Sequence, residues 1–519
     1  MQLHQRFIDT AKRFPKKIAV HDIATGKDLT YERLLIVALI LAKRFKKINS
    51  KYVGIMVPTS AGCILSNMGT LMAGKIPVMI NYATGAIENS YYAQEKCSFK
   101  TIITSKKLLA KLKIEAIDGM IFLEDIVASV KLSDKLPALF KAKSSARSIK
   151  KHVHHGDDDE TAVILFTSGS EKEPKAVQLT HKNIGHNVDS IPMIVDLDEN
   201  DVFLANLPLF HVFGLTADYW LPIILGSTIV AYPNPLDYKI ICGLIKKYKV
   251  TLMAGTPSFY YGYLKKSQPG DFDSMQFALS GADTLPHQIY DGFLEKHNLK
   301  IHDAYGTTET SPAIAINSIR ESKFGSVGKP IPGVEVKILD VDTDDELPAG
   351  QVGKILVKGD MVMKGYLGDL EETSLRIRKG WYDTGDMGLL DEDGYLWHKG
   401  RLKRFVKVGG EMVSLVHVEE ILNKYLPEDV ICCVVDVPNP TKGADVVAAV
   451  TTGEFDKRKV LKQMAHDLPG IAIPKEFHVL DDIPMMGSGK VNFREVEKVC
   501  REITETENNK KKKHKLLKI

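Results

Sequence analysis

A strand-like apolar run at residues 161–166 leads into a short segment suited to phosphate binding. Residues 167–170 are Thr-Ser-Gly-Ser, and Lys175 follows directly after Pro174. Hydroxyl groups and free backbone N–H groups donate to phosphate oxygens, and a nearby ammonium neutralises part of their charge. The segment is not a Walker loop, because it lacks the GxxxxGK[ST] spacing. Taken alone, it is compatible with a phosphate loop or with an ordinary turn.

Two acidic segments extend the same chemistry. Residues 303–310 read DAYGTTET and place Glu309 beside hydroxyl side chains, a combination that can hold Mg²⁺ on phosphate oxygens. Residues 381–386 read WYDTGD and end in Asp386, whose carboxylate can accept both hydroxyls of a ribose. Together the two segments predict a nucleotide site with a divalent cation.

Two basic segments follow towards the end of the chain. Residues 399–415 place Arg401 ahead of a Gly409–Gly410 turn, and residues 484–494 place Lys490 in a glycine-flanked loop that could swing into a site. A mobile cation of this kind can neutralise charge that develops during phosphoryl or acyl chemistry.

The elements around these segments predict an α/β fold. A helical pattern at 31–45 alternates with short apolar strands at 51–57, 75–80 and 161–167, which is typical of parallel sheets covered by helices. After residue 310 the strands become shorter and are separated by glycines, which predicts a β-rich subdomain. We expect a large N-terminal domain of two α/β subdomains plus this β-rich subdomain, and a small mobile α+β domain after it.

Length and composition bound the domain organisation and the compartment. A chain of 519 residues is too long for one hydrophobic core, and we place the domains at 1–402 and 403–500, with a tail at 501–519. The first residues predict an amphipathic helix and lack a secretion signal. The longest apolar run, 220–232, is too short to span a bilayer. Six scattered cysteines without CxxC spacing suggest neither disulfides nor a zinc site, so we expect a cytoplasmic protein.

The charge is concentrated at the C-terminal end. The net charge is +4, but six lysines lie in the last ten residues and the remainder carries about −2. No basic stripe persists through the body, so we expect no nucleic-acid partner. We expect the tail to be disordered and solvated. The alternative is attraction to an acidic protein or to anionic lipid, which would place the protein peripherally at the inner face of a membrane.

The polar segment 143–160 has two interpretations. His152, His154 and His155 lie beside three aspartates at 157–159, and imidazole and carboxylate groups together can bind a metal ion. We favour the other interpretation, a solvated surface linker between two α/β units.

In this order, the five segments resemble the acyl-adenylating (AMP-binding) superfamily of acyl-CoA synthetases, luciferases and peptide-synthetase adenylation domains. The resemblance extends from about residue 5 to residue 500. A narrower resemblance, to the acyl-[acyl-carrier-protein] synthetase branch, includes Arg404. It is also carried by MINYATG (79–85), FTSGSE (166–171), LPLFHVFGL (207–215), YPNPLDY (232–238), the segment at 399–415 and PMMGSGKV (484–491).

That branch is often fused to an N-terminal lysophospholipid acyltransferase, as in the 2-acylglycerophosphoethanolamine acyltransferase/acyl-carrier-protein synthetase. This chain begins at the synthetase part, so we expect any such acyltransferase to be a separate protein or absent. The resemblance implies ATP and Mg²⁺ as cofactors and no covalently bound cofactor. It also implies two steps, in which a carboxylate becomes an acyl-adenylate and a thiol then takes the acyl group.

The resemblance implies a role for particular residues. Lys490 would bridge the carboxylate and the α-phosphate, Thr308 would contact the α-phosphate and Glu309 would hold Mg²⁺. His211 would lie near the acyl carboxylate. The other implied nucleotide- and acceptor-binding residues are Thr167, Ser168, Gly169, Ser170, Lys175, Gly281, Ala282, Asp283, Tyr305, Gly306, Thr307, Asp386, Arg401, Lys403 and Lys407.

Within that set, Tyr305 would stack on adenine, and Asp386 and Arg401 would hold the ribose. Lys403 matches the hinge position, and Lys407 would line the phosphopantetheine tunnel after domain rotation. For two residues a purely structural role stays open: His211 as a buried core histidine and Lys407 as a surface lysine on a strand.

The implied activity is the ATP-dependent ligation of a medium- or long-chain fatty acid to the phosphopantetheine thiol of holo-acyl carrier protein, with release of AMP and pyrophosphate. A fatty acyl-CoA ligase is the first alternative, and a non-catalytic nucleotide-binding regulator is an alternative of another class. A serine acyltransferase is disfavoured because the sequence has no G-x-S-x-G elbow.

Overall fold

A computed structural model describes residues 1–167, 174–427, 430–439, 441–485 and 491–516 of the chain, with side chains up to residue 506. Within these residues the fold is mixed α/β, with a large N-terminal domain followed by a small C-terminal domain. The fold class that the sequence predicts is therefore confirmed.

The helices and strands alternate along much of the chain. The described α-helices are α1 (Leu3–Arg13), α2 (Tyr31–Phe45), α3 (Ala61–Met72), α4 (Ala86–Lys96), α5 (Lys106–Leu112), α6 (Leu123–Ala128), α7 (Leu132–Lys143), α8 (Ala146–Lys150), α9 (His181–Ser190), α10 (Leu221–Leu225), α11 (Tyr238–Tyr248), α12 (Pro257–Lys266), α13 (His287–His297), α14 (Leu370–Arg376), α15 (Leu415–Tyr425), α16 (Lys457–Asp467) and α17 (Phe493–Leu516).

The described strands are β1 (Ile18–Asp22), β2 (Lys27–Thr30), β3 (Tyr52–Met56), β4 (Ile76–Met79), β5 (Ile102–Thr104), β6 (Met120–Phe122), β7 (Thr161–Phe166), β8 (Ala176–Thr180), β9 (Val202–Ala205), β10 (Thr228–Ala231), β11 (Leu252–Gly255), β12 (Phe277–Ser280), β13 (Ile301–Gly306), β14 (Ala313–Ile316), β15 (Lys329–Pro330), β16 (Glu335–Leu339), β17 (Gly353–Lys358), β18 (Gly365–Tyr366), β19 (Ile377–Arg378), β20 (Trp381–Leu390), β21 (Leu396–Arg401), β22 (Phe405–Val408), β23 (Glu411–Ser414), β24 (Cys432–Asn439), β25 (Gly443–Val450) and β26 (Glu476–Val479).

The first two helices show why these residues are helical. In α1 the buried side chains Leu3, Phe7, Ile8 and Ala11 recur at helical spacing and form one face against the core. Helix α2 spans the predicted residues 31–45, and the hydroxyl of the preceding threonine accepts a hydrogen bond from the third residue of the helix.

Two large sheets form the body of the N-terminal domain. Among the described residues, one sheet has the order β18-β8-β7-β4-β3-β5-β6 and the other has the order β15-β14-β13-β12-β11-β9-β10-β1-β2. The neighbours β4, β3 and β5 are parallel in the first sheet, as are β9, β11, β12 and β13 in the second. Loops that follow the carboxyl ends of parallel strands meet at one edge, where open α/β sheets bind ligands.

A third sheet is antiparallel and smaller. Strands β16, β17, β20 and β19 are neighbours in that order, and β21 pairs with β20. The short glycine-bounded strands that the sequence predicts after residue 310 are present here. The C-terminal domain then contains the hairpin β22–β23 and the sheet β24-β25-β26.

The predicted tail boundary falls inside a helix. The sequence predicts disorder from residue 501, but α17 continues without interruption to Leu516. Its first part is docked, because Cys500 is fully buried and the Thr504 hydroxyl lies 3.1 Å from Nε2 of His478. The prediction of disorder is therefore wrong for residues 501–506, where packing against the small sheet holds the helix.

Arg404 organises the core of the C-terminal domain. Its Nη2 lies 3.0 Å from Oε2 of Glu419, and its guanidinium lies 3.8 Å from the ring centroid of Phe493. The Glu419 carboxylate also accepts the backbone N–H of Val434 at 2.8 Å. Arg404 is only 8% exposed. The charge of Arg404 is therefore paired inside the C-terminal domain and does not contribute to its surface.

Replacing Arg404 with methionine is expected to destabilise the C-terminal domain by about 2–4 kcal/mol, because the largely buried Glu419 would lose its counter-ion. Lys407→Met is the matched control, since the ion pair between Lys407 and Asp342 is exposed and its loss costs less than about 1 kcal/mol. Urea unfolding followed by limited proteolysis of the C-terminal domain would measure both. Equal midpoints for the two variants would contradict this assignment.

The segment 143–160 is partly packed, which corrects its interpretation as a solvated linker. It contains α8, and Ile149 and Val153 are buried against the N-terminal region. Nε2 of His154 lies 2.6 Å from the Glu160 carboxylate. Among the described residues, the histidines do not join the aspartates 157–159 in a potential metal-binding cluster. The three aspartates themselves each bring one carboxylate oxygen to within 4.8 Å of the others.

Two buried histidines hold α1 in place. His181 Nδ1 accepts the backbone N–H of Leu3 at 3.2 Å, and the rings of His4 and His181 are 5.5 Å apart. Burial lowers the pKa of His4 to about 4 and lowers the pKa of His181 well below its usual range. Both imidazoles are therefore neutral near pH 7.

Acidification is expected to weaken the docking of α1. Below the unfolded-state pKa of about 6.5, an unfolded His4 binds a proton that the folded protein excludes until about pH 4. Stability is thus full above about pH 6.5 and falls as the pH drops to about 4, by about 3 kcal/mol for His4 alone. Urea midpoints between pH 7 and 4.5 would measure this. His4→Gln should flatten the slope, whereas the exposed His417→Gln should not.

Two further features concern cysteines and long helices. The six cysteines are all buried and free, as their scattered positions predict. Within the described residues, none of the helices combines the length and the hydrophobicity needed to cross a bilayer.

Candidate active site

A cavity of about 1710 Å³ lies where the predicted segments meet. This volume exceeds the usual 300–1,000 Å³ or so of a small-molecule pocket, so it could hold a composite ligand. The predicted residues that line it are Thr167, Lys175, His211, Gly281, Ala282, Asp283, Tyr305, Gly306, Thr307, Thr308, Glu309, Arg401 and Lys403. The predicted residues Ser168, Gly169, Ser170 and Lys490 lie outside the described residues.

Thr167 and Lys175 close the base of the first loop. The Thr167 N–H donates to the Lys175 carbonyl at 3.0 Å, and the Lys175 N–H donates to Oγ1 of Thr167 at the same distance. The Lys175 ammonium is paired with Glu372 and lies 5.0 Å from the ring centroid of Tyr366. Sequence reasoning missed Glu372, which follows Lys175 by nearly two hundred residues. A phosphate group that recruits Lys175 must compete with this carboxylate.

The segment 303–310 forms the end of β13 and a 3₁₀ turn at Thr308–Thr310. The Thr307 N–H donates to Oγ1 of Thr310 at 3.0 Å, which fixes the turn. Gly306 is required here, because a Cβ atom would lie 1.8 Å from the Pro312 carbonyl oxygen. Thr307, Thr308 and Glu309 therefore face the cavity from a rigid turn.

Glu309 has the environment expected of a cation ligand. It is 9% exposed, and Oε1 accepts the hydroxyl of Tyr366 at 2.8 Å. Burial, with Glu309 nearby, raises the pKa of Tyr366, which therefore remains a neutral donor. Mg²⁺ is usually held by one or two carboxylates together with substrate phosphates and water. One oriented carboxylate beside threonine hydroxyls fits that requirement.

Asp386 lies behind the cavity wall. The register of β20 and β21 places it opposite Arg401, whose Nε is 3.0 Å from Oδ1, and Tyr305 donates its hydroxyl to Oδ2 at 2.5 Å. Asp386 is only 1% exposed. Burial by itself would raise the pKa of Asp386, but His398 and Arg401 together outweigh it and lower the pKa. The ionised carboxylate thus orients Tyr305 and Arg401 towards the cavity.

The loop after β9 forms another wall. His211 is exposed on it, so the interpretation of His211 as a buried core histidine is wrong. The ring of His211 lies 4.6 Å from that of Phe210, and Phe213 lies within 3.4 Å of the position that a Cβ on Gly281 would take. This wall is therefore largely aromatic and apolar, with a single imidazole at its surface.

The π-helix Gly214–Trp220 holds this wall in place. Oδ2 of Asp218 accepts the backbone N–H groups of Asn206 and Leu207 at 3.1 and 2.9 Å. Oγ1 of Thr216 donates to the Ser311 carbonyl at 2.8 Å, which links the wall to the turn that carries Glu309. Burial raises the pKa of Asp218 well above its usual range. Sequence reasoning missed both residues, although an acid in the run GLTADYWLPIIL was a detectable signal.

Lys403 and Lys407 lie in different surroundings. Lys403 is in the 3₁₀ turn Leu402–Arg404 between β21 and β22 and lines the cavity. Lys407 is on β22, outside the cavity lining, and its Nζ lies 2.9 Å from both carboxylate oxygens of Asp342. In this arrangement, Lys407 is therefore a surface residue that joins β22 to the loop after β16.

Comparison with known families agrees with this geometry. A family model described as AMP-binding enzyme matches residues 7–367, and one described as AMP-binding enzyme C-terminal domain matches residues 417–490. A long-chain-fatty-acid–CoA ligase of Bacillus subtilis (strain 168) is 31% identical, over 93% of this chain and 92% of that protein. An oxalate–CoA ligase of Arabidopsis thaliana is 28% identical, over 94% of this chain and 96% of that protein.

Solved structures share the fold. ATP-bound MatB from Rhodopseudomonas palustris has a TM-score of 0.83 at 24% identity, covering 97% of this chain and all of that one. The o-succinylbenzoate CoA synthetase MenE of Bacillus subtilis, in complex with the acyl-adenylate OSB-AMP, has a TM-score of 0.81 at 23% identity, covering 95% of this chain and 98% of that one. Because the first family model matches more than half of its length, the chain belongs to the AMP-binding enzyme family and is an adenylate-forming acyl ligase.

Proposed function

We propose that the protein activates a medium- or long-chain fatty acid with ATP and transfers the acyl group to a phosphopantetheine thiol. The observation that carries this proposal is the composition of the cavity, which is lined both by the polar turn at 305–309 and by the aromatic wall at 210–213. A carboxylate at their junction would have its alkyl chain along the apolar wall and its oxygens near the phosphate-binding groups.

The first step needs charge neutralisation more than it needs a nucleophile. A fatty carboxylate and the α-phosphate of ATP repel each other, so fixed donors and cations must hold them together. We assign Thr308 to the α-phosphate, and Thr167 and Lys175 to the outer phosphates. Lys490 is assigned to the charge that develops between carboxylate and phosphate.

Mg²⁺ would supply electrostatic stabilisation of the phosphate oxygens, with Glu309 as its protein ligand. The Tyr366 hydroxyl orients the Glu309 carboxylate. Tyr305, oriented by Asp386, is assigned to the adenine ring, and Gly281, Ala282 and Asp283 lie on the loop after β12, where we place the edge of the base.

The second step requires the thiol to reach the acyl-adenylate. We assign Lys403 to a hinge, because it lies in the short turn between β21 and β22. Rotation about this turn would bring Lys407 towards the cavity and would break its ion pair with Asp342. That pair is exposed on both sides, so breaking it costs less than about 1 kcal/mol.

Acyl carrier protein is our leading acceptor, because the segments at 79–85, 207–215 and 399–415 resemble the carrier-protein branch. Coenzyme A is the second candidate, favoured by the 31% identical long-chain-fatty-acid–CoA ligase. Both acceptors present the same phosphopantetheine arm, so they differ in what binds outside the tunnel.

The deciding experiment compares the two acceptors over a series of fatty acids. Purified protein with ATP and Mg²⁺ is expected to acylate holo-acyl carrier protein and to release AMP and pyrophosphate. A much higher kcat/KM with coenzyme A would replace the carrier-protein assignment by a fatty acyl-CoA ligase. Failure to form an acyl-adenylate with any fatty acid would instead overturn the assignment of a fatty acid as the substrate.

A further inference from the structure

Helix α7 exposes an apolar stripe. Leu132, Leu136 and Phe140 are 69, 46 and 70% exposed, and Val127 at the end of α6 is 63% exposed. Residues four apart lie on the same side of a helix, so the three side chains of α7 form one continuous stripe. The opposite side of α7 packs on α2, with Ala138 buried. We call α5, α6 and α7 together, residues 106–143, the α5–α7 face.

Lysines flank this stripe. Lys131 just before α7 and Lys135 and Lys143 within it are exposed, and so are Lys107 and Lys111 of α5. Such a mixture of exposed apolar side chains and surrounding cations is typical of helices that lie in the interfacial plane of a bilayer.

Eight lysines outnumber five acids within residues 106–143, and three of these acids have their own contacts. Asp134 accepts from Nη2 of Arg44 at 3.1 Å, and Asp125 accepts from Nζ of Lys106 at 2.5 Å. The Glu124 carboxylate accepts the Ser105 hydroxyl at 2.7 Å. The α5–α7 face therefore presents positive charge outward, which is complementary to an anionic surface.

The cavity reaches this face. Its lining includes Glu309 and Tyr305 and also Leu112 and Val127. The buried Leu108 lies along the same wall. One cavity is therefore lined both by side chains of the α5–α7 face and by residues assigned to adenylate formation.

We propose that the α5–α7 face docks on an anionic lipid bilayer, from which a fatty acyl chain enters the cavity beside Leu112 and Val127. An acidic protein would also match the lysines, but a bilayer in addition supplies the apolar medium for the stripe and the acyl chain for the cavity. Docking does not depend on the enzyme's activity, whereas chain entry rests on the proposed function. The α5–α7 face is distinct from the lysine-rich tail, which forms the C-terminal end of the sequence.

The docking test is cosedimentation of the full chain with vesicles of phosphatidylcholine, alone or mixed with phosphatidylglycerol. We expect binding to the anionic vesicles and little binding to the neutral ones. The double variant Leu136→Glu/Phe140→Glu should bind at least tenfold more weakly. Each of Lys131→Gln and Lys135→Gln should weaken binding about fivefold. The matched control is Met193→Glu/Leu370→Glu, at positions 73 and 85% exposed elsewhere on the surface. Its binding to anionic vesicles should weaken only by the repulsion that two added negative charges cause.

Specific outcomes would overturn the docking proposal. One is that the Leu136→Glu/Phe140→Glu variant binds anionic vesicles as tightly as the wild type does. Another is that replacing the tail lysines at 510–513 by glutamine abolishes binding while the α5–α7 face is intact. A loss of self-association or of carrier-protein binding in the face variant, with vesicle binding unchanged, would assign the face to a second copy or to an acidic protein.

Chain entry is tested by presenting the fatty acid in two ways. Adenylate formation from a long-chain acid held in anionic vesicles should fall about tenfold in the face variant. Its rate with a medium-chain acid in free solution should stay unchanged, which also shows that the variant is folded. Equal rates from vesicles for wild type and variant would overturn chain entry. If no adenylate forms under any condition, the proposed function fails while the vesicle-binding result still stands.

Discussion

Glu309→Gln is expected to lower the rate of acyl-adenylate formation by about 10²–10³-fold, because the substitution removes the only charge of the assigned Mg²⁺ ligand while preserving its shape. The rate should also need a higher Mg²⁺ concentration to reach half of its maximum. Pyrophosphate exchange in the presence of a fatty acid, measured across a Mg²⁺ titration, would report both effects.

A graded companion variant sharpens this test. Tyr366→Phe removes the hydroxyl that donates to Oε1 of Glu309 at 2.8 Å, so it should weaken the apparent Mg²⁺ affinity by about 10–100-fold and leave the carboxylate in place. Glu321→Gln is the matched control, since its carboxylate is exposed and pairs with Lys329 at the surface. A Glu309→Gln enzyme with the wild-type Mg²⁺ dependence would contradict the metal assignment.

Lys490→Ala is expected to reduce adenylate formation by about 10²–10³-fold, because the cation assigned to the charge between carboxylate and α-phosphate is lost. The second step should be nearly unaffected when acyl-adenylate is supplied, since the proposed domain rotation removes Lys490 from the site before the thiol attacks. Single-turnover measurements of the two steps would separate these effects.

The control for this variant is another lysine of the same domain. Lys498 on α17 is exposed and lies 3.8 Å from Glu495, so Lys498→Ala should leave both steps unchanged. Unchanged adenylate formation in Lys490→Ala would remove this residue from the catalytic assignment. Equal loss in both half-reactions would instead indicate that the C-terminal domain of the Lys490→Ala variant no longer folds. A lowered urea midpoint, like the one expected for Arg404→Met, would identify that case.

Much of the fold and of the candidate site could be predicted from motifs that occur in a fixed order along the sequence. The strand at 161–166, the helix at 31–45 and the β-rich region after residue 310 follow from local periodicity and glycine spacing. Most of the predicted site residues within the described chain line one cavity. Local patterns identify such residues because phosphate, cation and nucleotide binding each require particular side-chain types in short segments.

Partners distant in the sequence were not predictable. Glu372 pairs with Lys175, Tyr366 orients Glu309, and Asp386 is buried against Tyr305, although each pair is separated by more than fifty residues. No local periodicity encodes these contacts, since they depend on how the third sheet packs against the first two.

The sequence by itself determined the family, the α/β class and the residue types able to bind a nucleotide, because these depend on short motifs in a fixed order. Only the tertiary structure decided which charged side chains are buried in ion pairs and which stay at the surface. It buries Arg404 against Glu419 and keeps Lys407 on the surface, where Lys407 pairs with Asp342. These two basic residues are only three positions apart in the sequence. It also leaves the stripe of α7 uncovered, since burial is set by the packing of whole elements.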